Sequence, residues 1–202
     1  MKLTKVLSII FLIFSFHNFV KADDIRDFQI EGMSIGDNLL THINLKTIKD
    51  SRKYTYNSNK FYSMDLIHDK FNTYYAVQVH LKKDDKKYQI YGLSGAIKFG
   101  KPGIYYPKSK NECKKKMHTI ENTIDKMFSD ADKDVSGEYS NEDYDPKAIK
   151  NDIYYSLDTG EVYLQCVTYS KKFKKKEYLF DNLRVSILTK EFDYWLSNEA
   201  YK

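Results

Sequence analysis

Apolar and polar positions follow two different rhythms along this chain. Period-two alternation is clearest over residues 74–81, where Tyr75, Val77, Val79 and Leu81 point one way and Gln78 and His80 the other. The same rhythm predicts strands over residues 61–67, 88–99, 153–157, 161–169 and 178–188. In the last two, Val162, Leu164 and Cys166 share a face. Leu183, Val185 and Ile187 point inward, while Arg184 and Ser186 point outward. Polar turns at residues 82–87 and at Asp158-Thr159-Gly160 favour antiparallel pairing of neighbours. Gly92 and Gly95 within a strand predict a bulge or the close approach of another element.

Helical spacing appears in three places. Cys113, Met117, Ile120, Ile124 and Phe128 form one apolar stripe on an otherwise Lys-rich helix over residues 110–128. Ile35, Leu39, Leu40 and Ile43 predict a helix over residues 34–43, capped by Ser34, with Asp37 in its first turn. Thr189 caps a final helix whose apolar side is Phe192, Trp195 and Leu196. Residues 129–146, acidic and polar, read as a loop. A meander of three strands followed by a helix occurs twice, over residues 61–128 and 153–201, without a residue-level repeat. The expectation is an α+β domain: an antiparallel sheet of about six strands with helices packed on one face.

The start of the chain fits neither rhythm. Lys2 and Lys5 precede an apolar run from Val6 to Phe16, interrupted only by Ser8 and Ser15. A run of about 11 residues suits the core of a secretory signal and is too short to span a bilayer. Val20-Lys21-Ala22 fits signal-peptidase recognition. Residues 1–22 are therefore expected to be a signal peptide, and residues 23–202 a single exported α+β domain, periplasmic or extracellular, with no transmembrane segment after cleavage. Cleavage removes Lys2, Lys5 and Lys21 and no acid, so the formal net charge of +5 falls by three. The basic excess of a nucleic-acid binder is then missing, and no nucleic-acid partner is expected. Three arginines accompany a large excess of lysine, which with the abundant Tyr, Asn and Ile indicates AT-rich coding. The runs Lys114-Lys115-Lys116 and Lys174-Lys175-Lys176 accordingly read as codon drift and not as ligand sites.

Candidate chemistry narrows the picture mainly by elimination. Asp130, Asp132 and Asp134 alternate as in a calcium loop, but Val135 stands where the turn needs Gly and Asn141 where it needs an acid. Residues 95–101 match most of a phosphate-binding loop and then end in Pro102, which has no hydroxyl for a magnesium ion. His42, His68, His80 and His118 lack zinc-ligand spacing and are expected at the surface. No catalytic, cofactor-binding or metal residue is assigned, and no cofactor is expected. Tyr74, Tyr91, Tyr154, Tyr163, Tyr169 and Tyr178 sit on or beside strands. An exposed row of them would stack on sugars or form a protein interface, although strand propensity and codon bias also account for them. The two cysteines of the expected mature chain, Cys113 and Cys166, both face the layer between helix and sheet. They are expected to form a disulfide closing a loop of roughly 50 residues.

Two stretches resemble a known group. Phe28-Gln29-Ile30-Glu31-Gly32-Met33-Ser34-Ile35-Gly36-Asp37 and Asp181-Asn182-Leu183-Arg184-Val185-Ser186-Ile187, the latter leading to Trp195-Leu196, resemble short exported proteins of AT-rich marine alphaproteobacteria of the Pelagibacter type. The resemblance implies a compartment and no mechanism. Ile30-x-Gly32-Met33-Ser34 is also similar to small periplasmic domains of the outer-membrane assembly lipoprotein type, without their lipid-attachment Cys. The functional expectation is a non-catalytic exported binding protein whose partner is an envelope protein or polysaccharide. The alternative is a small envelope hydrolase using carboxylates that the sequence does not place. A shallow exposed aromatic face would favour the first, and a deep pocket with convergent carboxylates the second.

Overall fold

The computed structural model describes residues 24–69, 71–141 and 145–202, so the expected signal segment, residues 1–22, lies outside the described residues. Eight strands form one antiparallel sheet: β1 (Lys53–Thr55), β2 (Phe61–Leu66), β3 (Ala76–Lys82), β4 (Ile90–Phe99), β5 (Asp132–Asn141), β6 (Asp145–Leu157), β7 (Gly160–Thr168) and β8 (Asp181–Thr189). The helices are α1 (Leu45–Asp50), α2 (Ser109–Met127), α3 (Lys171–Glu177) and α4 (Lys190–Asn198). The strand order is β1-β2-β3-β4-β8-β7-β6-β5, so the two meanders meet where β4 pairs with β8. Among the described residues no helix is long and apolar enough to cross a membrane.

Alternation along the strands separates two faces. The inner face carries Val77, Val79, Leu93, Val185, Ile187, Val162 and Leu164, all fully buried. It is covered by α2, through Cys113, Met117 and Ile124, and by residues 24–48, through Ile25, Ile30, Leu39 and Ile48. At roughly 1.5–3 kcal/mol per buried aliphatic side chain, this layer supplies most of the drive for folding. The outer face is covered at one end only. There α4 sets Phe192 and Trp195 against Phe61, with ring centroids 5.2 and 5.0 Å apart. The expected packing of all helices on one face is thus corrected: α2 and α4 lie on opposite faces.

Other departures have local causes. The expected helix over residues 34–43 is instead a pair of turns ending in a single 3-10 turn, Leu39–Thr41. Gly36 takes φ +89°, its N–H donates to Ile90 O, and Leu39 N–H donates to Tyr88 O. Backbone committed to the start of β4 cannot also close helical turns; Ile35, Leu39 and Ile43 are buried as the spacing implied, but Leu40, expected on the same face, is exposed. The expected acidic loop over residues 129–146 is largely strand β5 and the start of β6. The sheet therefore has eight strands where about six were expected, and β1 is the other addition. A segment paired with β6 lacks the wound backbone of a calcium loop. Residues 142–144 lie outside the described residues.

Lysines in both of the runs at 114–116 and 174–176 hold elements together. Lys174 is fully buried, its Nζ 2.8 Å from Asp181 Oδ2, where it ties α3 to β8. Lys114 and Lys110 pair with Glu138, and Lys133 pairs with Glu121 (2.7 Å) and Asp125 (2.8 Å), fastening edge strand β5 to α2. The cysteine expectation agrees with the structure: Cys113 and Cys166 face each other with Cα atoms 6.0 Å apart, a disulfide-capable pair. The strand glycines do allow close approach. A side chain at Gly95 would overlap the Tyr74 ring, and one at Gly92 would collide with His80.

Candidate binding face

The part of the outer face that α4 leaves uncovered is floored by side chains from seven strands. Register pairing runs Asp134–Tyr154–Tyr163–Ser186–Ser94–Gln78–Asp65 directly across β5, β6, β7, β8, β4, β3 and β2. The next row is Asp152–Gln165–Arg184. Because opposed residues in antiparallel strands point to the same side, each row is a contiguous polar and aromatic strip.

At its centre Tyr154 and Tyr163 stack, with centroids 4.5 Å apart and planes 21° from parallel. Gln165 Nε2 donates to the Tyr163 hydroxyl, and the Tyr139 hydroxyl donates to Asp152 Oδ2. Asp152 is 2% exposed, and its Oδ1 has no hydrogen-bond partner among the described residues. Burial first, and the Asp152 carboxyl second, raise the Tyr139 and Tyr163 hydroxyls above the ordinary tyrosine range, so both act as neutral donors and acceptors. Farther along, Tyr75 packs edge-on to Phe180 with Lys98 Nζ over its ring at 4.2 Å. These side chains border a hollow of about 410 Å³ that Asp65, Gln78, Ser94 and Arg184 also line.

Between α4 and the β5–β7 side of the same face lies a half-open cleft of about 840 Å³. It is lined by Asp130, Asp132, Asp158, Glu161 and Asp193, together with Lys190 and Tyr194. Burial, and then the neighbouring Asp193, raise the Glu161 carboxyl above its usual range; burial alone raises Asp193.

A third polar group lies beneath α4. Tyr56 Oη is 2.6 Å from Ser63 Oγ, which is 2.7 Å from His80 Nδ1, and the His80 ring stacks on Phe192 at 4.4 Å. His80 was expected at the surface and is 4% exposed. Burial, assisted by Arg184, lowers it to about 3, so it is a neutral structural ring. Ser63, 1% exposed, is out of reach of a substrate as a nucleophile.

Of the tyrosines singled out from sequence, Tyr154 and Tyr163 come together on the open face. Tyr74 is buried on the inner face, and burial, with a smaller effect of Glu31, pushes its hydroxyl up to about 12. Tyr91 packs on Phe61, and Tyr178 ends α3 in a left-handed conformation. Sequence reading missed Tyr139, Asp152, Gln165, Glu161 and Asp193; only the parity of Gln165 and Asp152 relative to buried neighbours could have flagged them. The segments carrying the resemblance have structural roles, and the second also supplies Arg184 and Ser186 to the open face. Glu31 accepts the backbone N–H groups of Asn72, Thr73 and Tyr74 at 3.0, 2.7 and 2.9 Å, and Trp195 Nε1 donates to Ser58 Oγ. Comparison with protein-family models, with curated proteins and with solved structures finds no match.

Proposed function

We propose that this chain is an exported binding protein that holds an envelope partner on the uncovered half of its sheet. The observation that carries the reading is the strip itself: a stacked tyrosine pair flanked by amide, carboxyl and guanidinium groups, left open where α4 ends. Interface cores favour Tyr and Arg in this way, because a ring supplies contact area at low entropic cost while its hydroxyl stays hydrogen-bonded. The export half of the reading rests on residues 1–22 and is supported by the disulfide-capable pair. The test is a photo-crosslinking side chain placed at Tyr154 and, separately, at Lys116 on the far side of the molecule. Capture of an envelope component from position 154 and not from 116 is expected. Equal capture from both, or capture only from 116, refutes it.

One observation favours a hydrolase as the second reading: Glu161 and Asp193, both raised, share the cleft of about 840 Å³ beside α4, as a general acid and its partner would. Turnover of an envelope polymer that Glu161→Gln abolishes would establish that reading. Turnover that survives the substitution would remove it.

A further inference from the structure

The β5–β7 part of the outer face carries a charge pattern opposite to that of the chain. The formal net charge, +5 for the whole sequence, is +2 once residues 1–22 are removed. Yet Asp132, Asp134, Asp152 and Glu161 point from β5, β6 and β7 to this one face, and Asp193 joins them from α4. The basic groups nearest this strip are Lys150, opposite Tyr139, then Lys190 and Arg184, while Lys98 and Lys82 lie farther across the same face on β4 and β3. Acidic groups therefore prevail around the Tyr154–Tyr163 stack. Beyond burial, Asp193 raises the Glu161 carboxyl, and Lys190 opposes it by less. Independently of that surplus, the Asp152 Oδ1 atom is buried on this face without a donor. A buried acceptor left unmade costs about 1–3 kcal/mol, so the site is poised to gain by receiving a donor.

We infer that the strip formed by β5, β6, β7 and α4 docks an extended, lysine- or arginine-rich segment of a partner protein. The inference rests on the binding-face reading above and names its partner's chemistry. Among the described residues no three acidic or His side chains converge closely enough to hold a metal ion, so the carboxyls suit several separated cations. Adjacent strands lie about 4.8 Å apart, and alternate side chains of an extended peptide about 6.6 Å apart, so two or three basic groups can meet acids on successive strands. Tyr154, 36% exposed, offers a ring to a cation, and Asp152 Oδ1, closed off from solvent in the free protein, accepts its hydrogen bond once docking parts the side chains above it. An anionic polymer would meet repulsion here, and a neutral glycan would leave the acidic excess unanswered.

The test titrates the folded protein, labelled for amide NMR, with a hexapeptide of alternating Lys and Ser, its Glu counterpart and a neutral hexasaccharide. The Lys peptide is expected to move the amides of Asp134, Asp152, Tyr154 and Tyr163, and to bind several-fold more weakly as salt rises from about 20 to 200 mM. Asp152→Asn is expected to weaken it about ten-fold. Asp134→Asn, at an exposed position that folding does not require, is expected to weaken it by a smaller factor, and Glu112→Gln on the outer side of α2 to leave it unchanged. Movement of the same amides by the glycan or the Glu peptide alone overturns the cationic partner and leaves the binding face standing. No movement with any probe, alongside capture from position 154, does the same. No movement and no capture overturn both.

Discussion

At His80 one side chain sets a pH dependence. Its folded value of about 3 lies below the ordinary 6.5, so the folded chain refuses a proton that the unfolded chain takes. The sign follows directly: above about pH 6.5 the residue costs nothing, and as pH falls from there towards 3 stability is lost. The slope is about 1.4 kcal/mol per pH unit while the unfolded ring is charged and the folded ring is not. Urea melts of the protein and of His80→Gln between pH 7 and 4 should show the substitution flattening that slope. Equal slopes would mean that the buried ring titrates normally. Alternation assigned His80 to the correct side of its strand, but burial could not be read there. What covers it, Phe192, arrives from the other end of the chain.

At the scale of elements, the pair Cys113 and Cys166 joins α2 to β7. A bridge across a separation of 53 residues restricts the unfolded chain by about 4 kcal/mol in the loop-entropy account. Thiol labelling of denatured, unreduced protein should find no reactive Cys, and reduction should lower the midpoint of urea unfolding. Two reactive thiols per chain would show that the pair stays apart. This pairing was legible in sequence because a step of four along a helix and a step of two along a strand each fix a face, whatever the partner. The same logic located α2, β3, β7 and α4. It failed over residues 34–43, where a helical spacing of apolar residues is satisfied by turns pinned to β4. It failed again at β5, whose exposed residues carry no apolar alternation because an edge strand fastened by lysine pairs has little to bury. The candidate face was legible only in its tyrosines. Asp152, Glu161 and Asp193 are ordinary surface residues until strand register and α4 bring them to one side.

For the whole molecule, the arrangement separates charge: lysines crowd the outer side of α2, and carboxyls line the opposite face of the sheet. Such a molecule approaches a charged partner in a preferred orientation, faster at low salt than at high. The strand order has a consequence of another kind, in time. β8 is the last strand to leave the ribosome and yet it sits at the middle of the sheet, between β4 and β7. Until it arrives, β4 is an open edge and the two meanders have no common border. Pairing Gly92 with Leu188 closes a long loop, a slow step compared with forming any hairpin of the sheet. The chain thus acquires its centre after its flanks, and stays open to unfolding, threading or capture by a chaperone until β8 is made.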